Sequence, residues 1–231
     1  MQNFGYKQLA GFYDKIYAKK NYAAEARFVE DLLERNGAKT VLDVGCGTGT
    51  HLAMLEKCGF ECAGIDLNQK MLDVAKQKVK AQLIRADMTD FQIQKKFDAI
   101  ICMFATFNHN TSLEDARKTL GCFRKHLNKK GMMLIDLHNP SGSGKKTDNA
   151  DGIEREIEWN FDKETGIEKS KVMFRVGNET IEDSHIFRIY TIEEMKELVK
   201  RAGFSKVSVY EGYGFKEAES GSKNLEVVGM I

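Results

Sequence analysis

Short apolar runs alternate with longer helical segments through the first 140 residues, and this alternation constrains the fold more than any other feature. The runs predict strands at Thr40–Val44, Glu61–Ile65, Gln82–Arg85, Asp98–Phe104 and Met132–Leu137. The periodicity between them predicts helices from Tyr22 to a stop at Gly37, and at His51–Lys57, Gln69–Lys80 and Leu113–Leu127, the last stopped near Gly131. Such alternation is typical of right-handed βαβ crossovers, so we expect a doubly wound α/β domain with a mostly parallel sheet.

The pattern changes after Pro140. Ser141–Gly152 lacks an apolar anchor and is rich in glycine, serine and asparagine, which predicts a mobile loop. Period-two alternation then predicts antiparallel strands at Glu154–Phe161, Glu168–Val176 and Ile181–Tyr190, followed by a helix with a Thr191/Glu194 capping box and a closing strand pair, Val207–Tyr210 and Leu225–Met230. We therefore expect a core of residues 1–140 and 191–231, with residues 141–190 forming the loop and a β cap over the substrate site.

Composition excludes several classes of protein. The chain has 35 Lys plus Arg against 34 Asp plus Glu, a net charge of +1, which argues against a nucleic-acid partner. No apolar run approaches the roughly 20 residues of a membrane span, and the N-terminus has no apolar signal core, so a soluble cytoplasmic protein is expected. The five cysteines form no recognisable ligand set, so we expect reduced thiols and no metal site.

The most informative segment is VLDVGCGTG, residues 41–49. A strand that runs into Gly45, Gly47 and Gly49 and then into a helix lets the backbone approach a ligand closely. The spacing is GxGxG, whereas dinucleotide-binding folds carry GxGxxG, so a pyrophosphate site is not expected.

Carboxylates follow the next two predicted strands. Asp66 comes directly after the second strand, where an acid suits hydrogen bonds to ribose hydroxyls. Asp87 and Met88 follow the third strand and offer a carboxylate and an apolar side chain for a base ring. Because ligands of such sheets bind at the carboxyl ends of the strands, these residues are expected to converge with the glycine cluster.

Four segments, VLDVGCGTG, GIDLNQKMLDVAK, ADM and FDAIICMF, together resemble the successive motifs of class I S-adenosylmethionine-dependent methyltransferases. The resemblance covers Tyr13–Leu137. YDKIYAKKNYAAEA, GTGTHL and MFATFNH are also similar to small-molecule N-methyltransferases, in particular those acting on amino sugars or glycine-like amines. The resemblance implies the Rossmann-like fold of that class, S-adenosylmethionine as cofactor, S-adenosylhomocysteine as product, and in-line methyl transfer to an amine nitrogen.

The resemblance also implies roles in the glycine cluster. Gly45, Cys46 and Gly47 would lie against the methionine part of the cofactor, and Asp43 would steady that loop. The alternative for Asp43 is that it only caps the following turn, and Cys46 is a residue small enough to fit between two glycines. Met103, after the fourth strand, would face the sulfonium region; the alternative is that it belongs to the core.

Further roles are implied around the nucleoside. Asp66 would bind the ribose hydroxyls and Asp87 would accept from the exocyclic amine of the adenine. Leu67 and Met88 would flank the adenine ring. The alternative for both acids is a place at a helix N-terminus, where the helix dipole favours negative charge.

Tyr13 and Tyr22 match aromatic positions of an N-terminal helix that closes over the cofactor in relatives, or else are ordinary packing residues. Methyl transfer to nitrogen needs a neutral amine, so a base or prior deprotonation is required. His138, His109 and Tyr13 are the catalytic candidates, and Asn108 lies beside them; the alternative for His138 is a hydrogen-bonded turn residue. We interpret the other histidines as structural or solvated: His51, His126 and His185.

The predicted partner is a small-molecule methyl acceptor. The Asn-Pro-Pro-Tyr sequence of enzymes that methylate adenine or glutamine amides is absent, and Asn108-His109-Asn110 stands after the fourth strand. We expect no nucleic-acid or membrane partner, and a monomer or homodimer. Two alternatives remain open, an NAD-dependent oxidoreductase on a related scaffold and a non-catalytic S-adenosylmethionine-binding protein.

Overall fold

The computed structural model describes residues 10–139, 142–150 and 152–231, and these form two β-sheets with flanking helices. The strands of the described part are β1 (Thr40–Val44), β2 (Glu61–Asp66), β3 (Gln82–Arg85), β4 (Phe97–Cys102), β5 (Leu127–His138), β6 (Gly144–Ala150), β7 (Ile153–Asp162), β8 (Ile167–Val176), β9 (Glu179–Arg188), β10 (Lys206–Glu211) and β11 (Asn224–Met230). Its helices are α1 (Tyr13–Ile16), α2 (Tyr22–Arg35), α3 (Thr50–Lys57), α4 (Gln69–Ala75), α5 (Leu113–His126) and α6 (Ile192–Arg201), with a 3-10 turn at Thr106–His109.

The larger sheet has seven strands in the order β3-β2-β1-β4-β5-β11-β10. Strands β1 to β5 pair in parallel, and β11 runs antiparallel to both β5 and β10. The chain moves outward from β1 in one direction to β3 and in the other through β4 to β5. The predicted doubly wound, mostly parallel fold is confirmed, and its switch point lies between β1 and β4, where ligands of such sheets bind.

The helices pack against the sheet through their apolar faces. On α2, Phe28, Leu32 and Leu33 are buried against a cluster that includes sheet residues such as Val41 and Ile101. The Asn21 side chain accepts from the Ala24 amide at the start of this helix, and Gly37 at φ 63° follows its end, as predicted. The predicted capping box of Thr191 and Glu194 at the start of α6 is also present.

Several element boundaries differ from the sequence prediction. Helix α4 ends at Ala75, not Lys80, and β4 ends at Cys102, not Phe104. Helix α5 ends at His126, and β5 begins at once at Leu127, so Gly131 is inside the strand and does not stop the helix. The cause is tertiary pairing, because Leu127 pairs with Phe97 across a register shift that local periodicity does not reveal.

The second sheet has four antiparallel strands in the order β6-β7-β8-β9. The three predicted cap strands are present with slightly shifted ends. The prediction of a mobile loop is wrong for most of that segment, because Gly144–Ala150 forms strand β6. Ser141 and Asp151, within that expected loop, lie outside the described residues. Pairing along β7 overrides the polar composition, and the Trp159 ring covers Gly144, where a Cβ atom would come within 2.5 Å of it. Trp159 Nε1 also donates to the Gly142 carbonyl at 2.7 Å.

The N-terminal helix α1 connects this second sheet to the core. Ile16 of α1 is buried with Val172 and Phe174 of β8 and Ile181 of β9. Asn108, which is fully buried after β4, donates to the carbonyls of His138 and Arg188 and accepts from the His138 amide. These contacts fix one face of the four-stranded sheet beside the carboxyl ends of β4 and β5. Within the described residues, no helix is both long and apolar enough to span a membrane.

Candidate active site

The glycine loop follows β1 and adopts a conformation that requires glycine. Gly45, Gly47 and Gly49 have φ angles of 75°, 53° and 77°, in the left-handed region. The Gly45 and Cys46 amides donate to the Ile65 carbonyl at 2.8 and 3.0 Å, which attaches the loop to the end of β2. A Cβ atom on Gly47 would meet nothing within 4 Å, so this side of the loop is open to a ligand.

Asp66 joins the glycine loop to the end of β2. One carboxylate oxygen accepts from the Gly47 amide at 2.9 Å, and the other accepts from the Asn68 amide at 2.7 Å. Burial raises the pKa of this carboxyl group, and the two amide hydrogen bonds oppose that rise. The predicted convergence of Asp66 with the glycine loop is confirmed, and each carboxylate oxygen retains lone-pair capacity for a further donor.

Asp43 lies beneath the glycine loop. It is 1% exposed, and its Oδ1 has no hydrogen-bond partner among the described residues. Burial, together with the nearby charge of Asp66, raises the pKa of Asp43 to about 7, and His51 opposes the rise. Cys46 is also buried, which raises its thiol pKa well above the usual range and keeps it neutral.

The predicted adenine contacts lie at the ends of β2 and β3. Leu67 is 63% exposed, which is unusual for a large apolar residue and leaves a flat apolar surface beside Asp66. Asp87 is exposed, and its Oδ1 accepts from the amide and the hydroxyl of Thr89 at 2.8 and 2.7 Å. Met88 is partly buried against the core. The contacts of these residues with adenine stay predictions.

The N-terminal helix α1 lies over the glycine loop. The Thr48 hydroxyl donates to Asp14 at 2.6 Å, and Lys78 also donates to this carboxylate at 2.6 Å. The Tyr13 ring is 4.7 Å from that of Tyr17 and 6.5 Å from that of Phe104. The helix therefore connects the glycine loop to the turn after β4.

Tyr22, at the start of α2, is linked to this aromatic group through Lys20. The Lys20 ammonium lies 4.4 Å from the Tyr22 ring centroid and 4.3 Å from that of Phe104, and it pairs with Glu25. Glu25 is 3% exposed and also contacts His51 at 3.0 Å. His51 is thus buried and structural as predicted, but the ion pair at its side places a cation among the predicted cofactor aromatics.

A strained turn follows β4. Phe104 and Ala105 both have φ 57°, a conformation that costs energy for residues with a Cβ atom. Asp136 at the end of β5 holds the turn, because one of its oxygens accepts from the Phe104 amide and from the Tyr213 hydroxyl, each at 2.8 Å. Met103 is 2% exposed within the core cluster beneath α2, so its position supports a packing role, and contact with a sulfonium stays a prediction.

The predicted catalytic histidines both lie beside Phe187 of β9. The His109 and His138 rings are 4.8 and 6.4 Å from the Phe187 ring. Burial lowers the pKa of His109 to about 4, with the nearby His185 acting in the same direction. His138 is 40% exposed and lies 3.3 Å from a carboxylate oxygen of Glu168, whose side chain is 3% exposed. The side-chain amide of Asn108 forms hydrogen bonds with backbone groups of His138 and Arg188, so this residue positions the region.

Several residues of the site were missed by the sequence analysis. Tyr17, Lys20 and Glu168 contact the predicted site residues Tyr13, Tyr22 and His138, and Asp136 with Tyr213 holds the turn that follows β4. His185, which we interpreted as structural or solvated, lies 6.1 Å from His109, ring to ring. For Tyr17 and Lys20 a signal existed in the YDKIYAKKNY segment, whereas the others come from strands and loops distant in sequence.

Comparison with known proteins shows which proteins this chain resembles. Residues 41–131 match the model of a methyltransferase domain. The chain is 35% identical over 132 residues to the dTDP-3-amino-3,4,6-trideoxy-alpha-D-glucopyranose N,N-dimethyltransferase of Streptomyces venezuelae, covering 55% of this chain and 56% of that protein. It is 36% identical over 142 residues to the glycine/sarcosine N-methyltransferase of Aphanothece halophytica, covering 57% of this chain and 54% of that protein. The chain thus matches little more than half the length of these relatives.

A similar solved structure covers the whole fold. The crystal structure of an S-adenosylmethionine-dependent methyltransferase from Clostridium acetobutylicum ATCC 824 has a TM-score of 0.86 and 22% identity, with 98% of each chain covered. This likeness establishes the class of fold, that of the class I methyltransferases. The resemblance stated from the motifs is confirmed: residues 41–131 match a methyltransferase domain, and the chain is similar to small-molecule N-methyltransferases.

Proposed function

We propose that the chain transfers a methyl group from S-adenosylmethionine to an amine nitrogen of a small molecule. The observation that carries this proposal is the left-handed glycine loop bonded to Asp66 at the switch point of the sheet. The N-methyltransferase relatives that act on amino sugars and on glycine or sarcosine support nitrogen as the acceptor. Neither NAD-dependent oxidation nor a non-catalytic role has support among the relatives.

The residues around the loop fit the cofactor. The open side of Gly47 gives its methionine part room, and the buried Asp43 oxygen without a partner can accept a hydrogen bond from it. Asp66 would bind the ribose hydroxyls, and the exposed Leu67 would contact the adenine. Asp87 and Met88 would complete the adenine side, and Met103 would lie below the methyl group.

The aromatic group formed by Tyr13, Tyr17, Tyr22 and Phe104 would exclude water from the reacting atoms. When bound, S-adenosylmethionine supplies an activated methyl group, so the protein needs mainly to align the amine and shield it. Lys20 beside two of these rings is placed to pair with the carboxylate of the methionine part, exchanging part of its interaction with Glu25.

The chain's own residues would handle the proton. With a pKa of about 4, His109 is uncharged at neutral pH and can accept a hydrogen bond from the amine without repelling positive charge. The buried Glu168 next to the half-exposed His138 gives the amine proton a route to solvent. Tyr13 would orient the amine from the side of α1. We assign His138 and His109 to the proton and Tyr13 to alignment.

The proposal is tested by calorimetry of S-adenosylmethionine binding to the wild type and to Asp66→Asn. Loss of one charge-assisted hydrogen bond should weaken binding about 10- to 100-fold, corresponding to about 1.5–3 kcal/mol. Asp73→Asn is the matched control, because it removes the same charge from an exposed position on α4 and should bind like the wild type. A wild type that does not bind S-adenosylmethionine would refute the proposal.

The finer features of the prediction belong to the same proposal. We propose that residues 141–190 form a cap over the acceptor and that the rest of the chain forms the cofactor-binding core. A cytoplasmic location, the absence of a nucleic-acid partner and a monomeric or homodimeric state stay predictions. Size-exclusion chromatography with light scattering would measure the oligomeric state.

A further inference from the structure

One face of the four-stranded sheet is turned toward the core and carries an unusual group of polar residues. On β8 this face includes Glu168 and Ser170, and on β9 it includes Asp183, His185 and Phe187. Glu168 pairs with Phe187 and Ser170 with His185 across the strands, which places their side chains on the same face. We call these five residues the acceptor face.

The acceptor face adjoins the catalytic candidates. The His109 ring lies 4.8 Å from the Phe187 ring and 6.1 Å from the His185 ring, and His138 Nε2 lies 3.3 Å from Glu168. The two candidate histidines lie at the carboxyl ends of core strands, His138 as the last residue of β5 and His109 in the turn after β4. A molecule on the acceptor face would therefore lie where the proposed methyl transfer takes place.

Two groups of the acceptor face have unmet hydrogen-bonding capacity. Glu168 is 2% exposed and Ser170 is 3% exposed. Within the described part of the chain, the Ser170 hydroxyl and the Glu168 Oε2 atom make no hydrogen bond, and the ion-pair contact of Oε2 is the one with His138. Because burying polar groups without partners costs energy, a ligand that donates to both would offset this cost.

The charge on the acceptor face selects among ligands. It carries two carboxylates, Glu168 and Asp183, whereas burial lowers the pKa of both His109 and His185 and keeps these rings neutral at pH 7. The cations on the same side of the sheet, Lys146 on β6 and Arg155 on β7, both pair with Asp148. A phosphoryl or carboxylate group would meet like charge here, and an amine would meet complementary charge.

We propose that the acceptor face binds an amine that carries neither a phosphoryl nor a carboxylate group, such as a free amino sugar or an amino alcohol. This inference rests on the proposed methyltransferase function and names the class of its substrate. Glu168 and Ser170 hold the amine and a neighbouring hydroxyl. The bound ammonium first passes a proton to Glu168 and on through His138 to solvent, which frees the nitrogen lone pair. The lone pair then forms the new N–C bond as the S–C bond breaks and S-adenosylhomocysteine leaves.

The experiment uses glucosamine and ethanolamine as probes. Binding of each is measured by calorimetry in the presence of S-adenosylhomocysteine, and turnover is followed by S-adenosylhomocysteine release. Glycine, sarcosine and a dTDP-linked amino sugar are the comparison acceptors. We expect at least one probe to bind and turn over with a kcat/KM at least 10-fold above the comparison acceptors.

Variants locate the binding to the acceptor face. Glu168→Gln and Ser170→Ala should each raise the acceptor KM about 10-fold or more and leave S-adenosylmethionine affinity unchanged. Glu182→Gln is the matched control, because this exposed residue points to the other side of β9. Circular dichroism reports folding, and Ser170→Ala carries the test if the Glu168 variant does not fold.

The outcomes separate the two proposals. If S-adenosylmethionine does not bind, the proposed function fails. If it binds, but the phosphorylated or carboxylated amines are preferred or neither probe binds, the substrate class proposed here is wrong. Variants of Glu168 and Ser170 with unchanged acceptor KM would also overturn it.

Discussion

The contact between the glycine loop and the turn after β4 gives a prediction that uses a matched pair of glycines. Gly45 and Gly47 both have left-handed φ angles, 75° and 53°. A Cβ atom on Gly45 would lie 2.3 Å from Cγ2 and 2.9 Å from Oγ1 of Thr106, whereas one on Gly47 meets nothing within 4 Å. Both Ala variants therefore place an L-residue in the left-handed conformation. Gly45→Ala also creates a steric overlap with Thr106, and Gly47→Ala does not.

The magnitudes follow from these distances. A left-handed conformation costs an L-residue about 1–2 kcal/mol, and this applies to both variants. Overlap in a packed region costs about a further 1–3 kcal/mol, and this applies to Gly45→Ala alone. We expect Gly45→Ala to lower the free energy of unfolding by about 2–5 kcal/mol and Gly47→Ala by about 1–2 kcal/mol.

A second substitution isolates the overlap. Thr106→Ser removes Cγ2 and leaves a hydroxyl that can still donate to the Met103 carbonyl, a bond of 2.9 Å in the wild type. Gly45→Ala combined with Thr106→Ser should recover about 1 kcal/mol or more of the lost stability, a favourable coupling in a double-mutant cycle. Urea unfolding without ligand measures all four proteins.

Ligand binding gives a second measurement, on Gly47→Ala. The side of Gly47 that is open in the protein alone is where we place the cofactor, so Gly47→Ala should weaken S-adenosylmethionine binding by calorimetry although it loses less stability than Gly45→Ala. Equal stability losses for the two variants, or a coupling within about 0.5 kcal/mol of zero, would show that the Thr106 contact does not explain the glycine.

Two further predictions concern buried polar groups. Because the pKa of Asp43 is raised from 3.8 to about 7, the folded protein holds this proton more tightly than the unfolded chain does. The resulting contribution to the free energy of unfolding is complete below pH 4 and is lost as the pH rises through 7, roughly 4 kcal/mol in all. Urea unfolding should therefore show that the stability of Asp43→Asn, relative to the wild type, is higher at pH 8 than at pH 5. An equal difference between the two proteins at both pH values would contradict this. Asn108→Ala leaves buried backbone groups of His138 and Arg188 without partners and should cost about 2–4 kcal/mol, whereas the exposed Asn160→Ala should cost little. Hydrogen exchange should show faster opening of β9 in Asn108→Ala; protection equal to the wild type would argue against a linking role.

The core fold and the cofactor loop could be predicted because their determinants are local in sequence. A strand that runs into Gly45 and an acid that ends the next strand, Asp66, are each defined within a few residues, and parallel pairing alone brings them together. Strand β6 could not be predicted, because its polar residues carry no alternation and its order comes from pairing with β7.

The missed site residues have the same explanation. Tyr213 meets Asp136 from 77 positions away, and Glu168 reaches His138 from the second sheet. These contacts depend on how a loop and the inserted sheet pack against the core. Neither the hydrophobic periodicity nor the motif spacing of the sequence encodes that packing. The position of Asp66 beside the glycine loop could be predicted because it ends a strand, whereas Glu168 and Tyr213 lie on segments that approach the strand ends from elsewhere.

Helix α1 shows why the cofactor and acceptor sites have to be considered together. Four residues are too few for a helix to be stable alone, so its position depends on its contacts. Asp14 bonds to Thr48 of the glycine loop, Tyr17 contacts Phe104 after β4, and the Arg155 guanidinium of the second sheet lies 5.4 Å from the Tyr17 ring. We therefore expect a change in the glycine loop to reach the proposed acceptor side through this helix, because the helix and the residue that follows it contact the glycine loop, the turn after β4 and the second sheet.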